Sequence, residues 1–387
     1  MSRLDELIQE LCPDGVESHK IKDVYTRLKG TPITASKMKE IANEDGDIRI
    51  FAGGKTVIDA FEDDISKANI TRVPAVLVQS RGVIDAIYYD KPFTFKNEMW
   101  AYTADTVTEV KYLYYVLKNN INTFREAASG MGSLPQISLK VTEEFKIPVP
   151  PLEVQREIVR ILDNFTELTA ELTAELTARK KQYEFYRNEL LKVDDSIKTV
   201  ALEEIADIGT GSSNTNEGLE EGLYPFYVRS QEPLRKNEYE YDETAIITAG
   251  DGVGVGKVYH YVEGKYALHQ RAYRIHINTP EVLPKYYFHY MKSAFLPYIQ
   301  KTMFQGSVAS IRRPMLNKFP VPVPSLEVQK KIIDVLENFE SICSDLNIGL
   351  PAEIEARQKQ YEFYRDLLLT FAETGNTIKT DRQTSKQ

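Results

Sequence analysis

Apolar residues recur at helical spacing in two long stretches of the chain. Ile158, Leu162, Phe165, Leu168, Leu172 and Leu176 mark the first, and Ile332, Leu336, Phe339, Ile342 and Leu346 mark the second. Each stripe runs on into aromatic positions, Tyr183, Tyr186 and Leu190 in one copy and Tyr361, Tyr364 and Leu368 in the other. Such a stripe is the buried face of an amphipathic helix. The two stretches are also nearly one text: residues 145–165 and 319–339 share 12 of 21 positions, and 179–191 and 357–369 share 10 of 13. A helix of about 40 residues, about 60 Å long at its usual rise, is therefore predicted twice. Neither stripe is covered on its own. The two helices are expected to pack on each other as an antiparallel coiled coil, with a globular domain at either end and a pseudo-twofold between the halves.

The text between the helices has another period. Leu4, Leu7, Ile8 and Leu11 predict a short docking helix that ends at Pro13 and Gly15. Short runs rich in β-branched and aromatic residues follow, IRIFAGG (48–54), AVLVQS (75–80) and AIYY (86–89), and then a helical run at 111–128. The second half repeats this order in different words: LEEIADIGTG (202–211) stands for IKDVYTRLKG (21–30), LYPFYVRSQ (223–231) for IRIFAGGK, and AIITAGDGVGVGKVYHYV (245–262) for AVLVQSRGVIDAIYYDK. The expected class is α+β. Residues 1–150 and 196–324 form two mixed α/β domains, 151–195 and 325–371 the two long helices, and the polar stretch 372–387 a disordered tail.

Composition narrows the functional classes. A net charge of −9 with 27% charged residues argues against general adhesion to nucleic acid. The charge is unevenly placed, however: residues 250–318 hold ten Lys/Arg against three acids, 203–243 hold three against eleven, and 72–146 hold nine against eight. The basic stretch is rich in Tyr, Gln and His, the composition of a surface that meets phosphates and base edges. Two cysteines, Cys12 and Cys343, have no His or Cys at metal-ligand spacing, so neither a disulfide framework nor a zinc site is expected. With no apolar leader and no run of about 18 apolar residues, the expected setting is a reducing cytoplasm, away from membranes.

A catalytic constellation does not emerge. Gly250–Lys257, GDGVGVGK, superficially suggests a phosphate-cradling loop, but no Ser or Thr follows the lysine and the next residues read as a strand; a glycine-rich hairpin or loop is expected. Of the five histidines, His260, His269, His276 and His289 fall in the second half, with no counterparts in the first and no nucleophile motif beside them. The candidate contacts are instead polar forks suited to base edges and phosphates: Arg229, Ser230, Gln231, Lys257, His269, Gln270, Arg271, Ser307, Arg312 and Arg313 in the second half, and Lys55, Gln79, Ser80, Arg81, Lys96 and Asn97 in the first. Gly130, Gly132 and Gly306 are expected in loops that approach a backbone closely.

Two unlike domains alternating with helices that open on PVPPLEVQREI and PVPSLEVQKKI and carry KQYEFYR make this chain similar to the specificity subunits of type I restriction-modification enzymes. The resemblance covers residues 1–370. It implies a non-catalytic subunit in which each globular domain reads one half of a bipartite site on double-stranded DNA. It further implies helices that dock two methyltransferase subunits, with restriction and translocase subunits joining the full complex. No cofactor is implied for this chain; S-adenosylmethionine would sit on the methyltransferase. The competing reading is a scaffold that binds proteins or glycans through its two domains. The tetrad run LTAELTAELTA (168–178), absent from the second copy, is expected to tune the distance between the two readers.

Overall fold

The computed structural model describes residues 3–54, 56–129, 135–192, 196–302, 310–345 and 347–374. The first half runs α1 (Arg3–Leu11), β1 (Ser18–Lys20), α2 (Ile21–Val24), β2 (Thr26–Leu28), α3 (Ala35–Ile41), β3 (Ile48–Phe51), β4 (Val57–Ala60), β5 (Ala75–Gln79), β6 (Asp85–Tyr89), β7 (Phe93–Phe95) and β8 (Trp100–Thr103), then α4 (Val107–Asn119), α5 (Ile121–Glu126), α6 (Leu139–Glu143), β9 (Lys146–Pro148) and α7 (Leu152–Leu190). The second half runs β10 (Thr199–Ala201), β11 (Ala206–Thr210), β12 (Tyr224–Tyr227), β13 (Leu234–Lys236), β14 (Tyr241–Ala249), β15 (Tyr259–Leu268) and β16 (Ala272–Ile277), then α8 (Pro284–Thr302), α9 (Arg313–Asn317), β17 (Pro320–Pro322), α10 (Leu326–Ser344) and α11 (Leu350–Thr374). The part of the expected tail beyond residue 374 lies outside the described residues.

The chain divides into two compact units, one comprising the residues up to Glu171 with those from Ile354 on, the other Leu172–Glu353. Each unit thus joins one sheet-bearing domain to a segment of both repeated stretches. In the first unit, Val154, Ile158 and Leu162 of α7 and Leu368 and Leu369 of α11 share a core with Tyr112, Leu113 and Val116 of α4. In the second, Ile332 and Leu336 of α10 share one with Tyr286, Tyr287, Met291 and Phe295 of α8. Both cores take in residues of the predicted stripes.

The second stretch departs from the prediction: it is two helices, α10 and α11, rather than one. Asp345 ends α10, its Oδ1 accepting from Asn347 N at 2.7 Å and Ile348 N at 3.2 Å. A Cβ on Gly349 would lie 2.5 Å from Ser341 O, and Pro351 follows in the first turn of α11. Gly and Pro together stop a helix and restart it. Leu346, counted in the stripe, lies outside the described residues.

The duplication extends into the contacts of each unit. Tyr112 Oη donates to Pro148 O at 3.1 Å, and Tyr286 Oη to Pro322 O at 3.2 Å. Lys111 pairs with Asp163, Lys285 with Glu337. Phe165 stacks on Tyr364 with ring centroids 5.4 Å apart, and Phe339 on Tyr186 at 5.5 Å. Every pair is related by the sequence offsets of the repeat.

The sheets obey one plan as well, although the domain sequences resemble each other only in pattern. The second unit holds a six-stranded sheet in the order β11-β16-β14-β15-β12-β13. The first holds β2-β8-β5-β6 and β4-β3-β7. If the long strand β15 is matched to β6 and β7 in turn, the two orders coincide. Both place one parallel pair in an otherwise antiparallel set, β3 on β7 and β12 on β15. Gly264, at φ 91°, lies within β15 where the first unit has the break between β6 and β7. A further bridge links the segment after β2 or β11 to the end of β7 or β15: Thr31 to Lys96, and Ser213 to His269. Gly30 and Gly211 make these approaches possible, since a Cβ on either would strike the carbonyl of Phe95 or Leu268.

Candidate DNA-reading surface

The turn leaving β5 and the turn leaving β14 begin in the same way. Ile137 N donates to Ser80 O at 3.0 Å and Ile311 N to Gly250 O at 2.8 Å, while Arg81 bridges Gln136 and Asp251 bridges Ser310. Next comes a left-handed glycine, Gly82 at φ 78° and Gly252 at φ 82°, and then an exposed valine, Val83 or Val253. GDGVGVGK is therefore a loop between strands, as the sequence reading expected, with β15 beginning shortly after it.

Three backbone positions meet beside this turn in both units. In the second they carry Arg229, Asp251 and Arg271. Asp251 accepts from both guanidinium groups, Arg229 Nη1 to Oδ1 at 2.7 Å and Arg271 Nη1 to Oδ2 at 3.0 Å. Burial pushes its carboxyl up, but the hydrogen bonds and charges of the two arginines hold it below the usual carboxylate range. In the first unit the equivalent positions carry Gly53, Arg81 and Glu98. A Cβ on Gly53 would lie 3.6 Å from Glu98 Oε1 and 4.0 Å from Arg81 Cβ, so these three also adjoin. Glu98 in turn pairs with Lys96 at 2.9 Å.

The structure distributes the predicted residues unevenly. Arg81, Asn97, Ser230, Gln231, Lys257, Gln270, Arg271 and Arg312 are exposed. Arg229 and Lys96 are half-buried. Asn97 lines a groove of about 480 Å³ with Arg27, Lys29, Asn69 and Trp100. Other candidates are occupied within the fold. Gln79 is buried and its Nε2 donates to Gly54 O at 2.7 Å; Ser80 is buried and donates to Glu98 O. His269 is buried, its Nδ1 accepting from Arg271 N at 2.9 Å, and burial followed by the charge of Arg229 holds its pKa down. Two exposed side chains also hold internal partners: Arg313 Nη2 donates to Ile208 O at 2.6 Å, and Gln270 Nε2 to Asn214 Oδ1. Lys55 and Ser307 lie outside the described residues, as do Gly130, Gly132 and Gly306.

Sequence reasoning passed over Asp251, Glu98 and Gly53. The available signal was the match of AVLVQSR to AIITAGD, which sets Arg81 opposite Asp251.

Two copies of one frame thus present different polar side chains at the same turn. The chain belongs to the family described as type I restriction modification DNA specificity domain, which matches it twice, over residues 13–179 and 195–356. It is 36% identical over 299 residues to the Escherichia coli type I restriction enzyme EcoR124I/EcoR124II specificity subunit, covering 69% of this chain and 72% of that one. A putative specificity subunit from Haemophilus influenzae is 32% identical over 289 residues, covering 68% and 72%. The fold is shared with the type I restriction-modification system S subunit from M. genitalium, at a TM-score of 0.61 and 19% identity over 93% of this chain and 96% of that one. A second solved structure, from work on assembly of the type I system, matches at a TM-score of 0.54 and 14% identity over 92% and 98%. The protein is thus a DNA specificity subunit and not the scaffold of the competing reading. Among the described residues, no helix is long and apolar enough to cross a membrane.

Proposed function

We propose that each unit reads one word of a bipartite sequence on double-stranded DNA, through the turn after β5 in the first and the turn after β14 in the second. The observation that carries this is the conserved bridge with exchanged side chains: Arg81 on Gln136 in one unit, Asp251 on Ser310 in the other. A fold that keeps its backbone hydrogen bonds while changing the side chains at the same point is suited to vary what it recognises. Exposed Arg81, Lys257 and Arg312 supply phosphate or base contacts.

The helices dock two methyltransferase subunits, which carry S-adenosylmethionine, and the restriction and translocase subunits join that assembly. Phe185 is 61% exposed and Phe363, its counterpart in the repeated EFYR motif, 64%. Two identical apolar positions left open on two copies of one helix suit two copies of one partner.

The test is binding of duplex DNA by this chain with and without its methyltransferase partner, over a range of salt, together with genome-wide mapping of methylated adenines. Salt-dependent binding with a two-part methylated motif is expected. A methylated motif with only one part would overturn the two-reader reading. Reversing the charge at Arg312 should weaken binding while leaving the partner complex intact; Arg313 is a poor choice for this test, because it also holds Ile208 O.

A further inference from the structure

We propose that Arg229, Asp251 and Arg271 form a base-reading fork that selects guanine in the second word; this rests on the DNA-reading role just given.

Asp251 uses both carboxylate oxygens, one for each guanidinium. Each arginine has five N–H donors in a rigid plane, so most of them stay available after the contact to Asp251. Two positive groups share one negative group, leaving a net positive charge at the turn. Exposure is graded to match: the Arg271 side chain is 61% exposed, Arg229 39% and the shared carboxylate 20%. The Arg271 side chain is open to solvent above an anchor that is largely covered.

The backbone beneath is fixed on every side. Gly250 N donates to Arg271 O at 2.8 Å, and Arg271 N to the buried His269 ring. Gly254 passes close enough to Arg229 O that a Cβ there would lie 2.5 Å from it. Arginines oriented before binding lose little freedom on engaging a target, and the preferred target of an arginine fork in the major groove is the O6/N7 edge of guanine.

A purely structural ion pair would be expected at the same place in the first unit, because the surrounding bridge is kept. Gly53, Arg81 and Glu98 stand there instead, with one cation in place of two and at a different corner. The trio changes where the frame does not, as the two unlike words of a bipartite site require.

The experiment is adenine-methylation mapping with the complete modification complex carrying the wild-type chain, Arg271→Lys or Asp251→Asn, alongside thermal melting of each complex. Arg271→Lys keeps the charge and loses the fork. It should relax selection at one guanine of the second word by about tenfold or more, leaving the first word, the spacer and the melting temperature unchanged. Asp251→Asn, which removes the common anchor, should relax the same letter. Retention of the full motif by both variants would overturn the fork and leave the two-reader function standing. Loss of the whole second word with a lowered melting temperature would also overturn it, by assigning the trio to the fold. A wild-type complex that marks no two-part sequence would remove the underlying function itself.

Discussion

At the scale of single residues, the repeated text marks buried joints. Gln155 and Gln329 occupy the same place in LEVQ. Each donates from Nε2 to the carbonyl of a proline five residues earlier, Pro150 or Pro324, at 2.8 Å. Gln329 also donates to Glu281 O and accepts from Leu283 N, both at 2.8 Å, and is fully buried. Gln329→Ala would strand several buried polar groups and should cost about 2–3 kcal/mol, against about 1 kcal/mol for Gln155→Ala, which gives up one hydrogen bond. Urea unfolding of the two variants measures the difference; equal losses would refute it. His289 offers a test through pH. Burial holds its ring neutral, lowering its pKa, and neither ring nitrogen has a hydrogen-bond partner among the described residues. The unfolded chain takes up a proton near pH 6.5 that the folded chain resists. The stabilising contribution is therefore complete above that pH and declines as pH falls from there toward the folded value. His289→Leu should flatten the stability profile below about pH 6.5. An unchanged slope in paired denaturation series would show that other groups govern it.

At the scale of elements, legibility followed burial. The helical stripes could be read because Ile158, Leu162, Ile332 and Leu336 face cores and recur at helical spacing. The break between α10 and α11 was also written in the chain, as Gly349 and Pro351, but the strong identity of the flanking text concealed it. Misplaced expectations for Gln79 and Ser80 have a similar origin. Residues 75–79 are buried throughout β5, so polar groups at its end serve internal carbonyls. A continuous apolar run signals such a strand and could have warned of this. The arginine–aspartate trio was harder to see. Arg229, Asp251 and Arg271 lie on three separate segments that only strand pairing brings together, and a charge count sets Asp251 against the arginines it orients.

For the whole molecule, the duplicated helical text leads to a prediction about spacing. Within α7, Leu172 of the tetrad run is buried, whereas Glu171, Thr173, Glu175 and Thr177 are exposed. Thr169 Oγ1 returns to Phe165 O at 2.8 Å and Thr177 Oγ1 to Thr173 O at 2.9 Å, so the threonines add no outward demand. Leu168 and Leu176, at the same place in the neighbouring tetrads, are half-buried, and another Thr-Ala-Glu-Leu unit would continue this spacing. It would add about 6 Å of rise and a net rotation of about 40°, whereas DNA advances about 3.4 Å and about a tenth of a turn for each base pair. The inserted chain is expected to methylate the same two words at a spacing longer by one or two base pairs. Methylation mapping of the insertion variant reads words and spacing together. Changed words at the old spacing would show that the tetrad run acts on the readers and not on the distance between them, while unchanged words at the old spacing would make it filler.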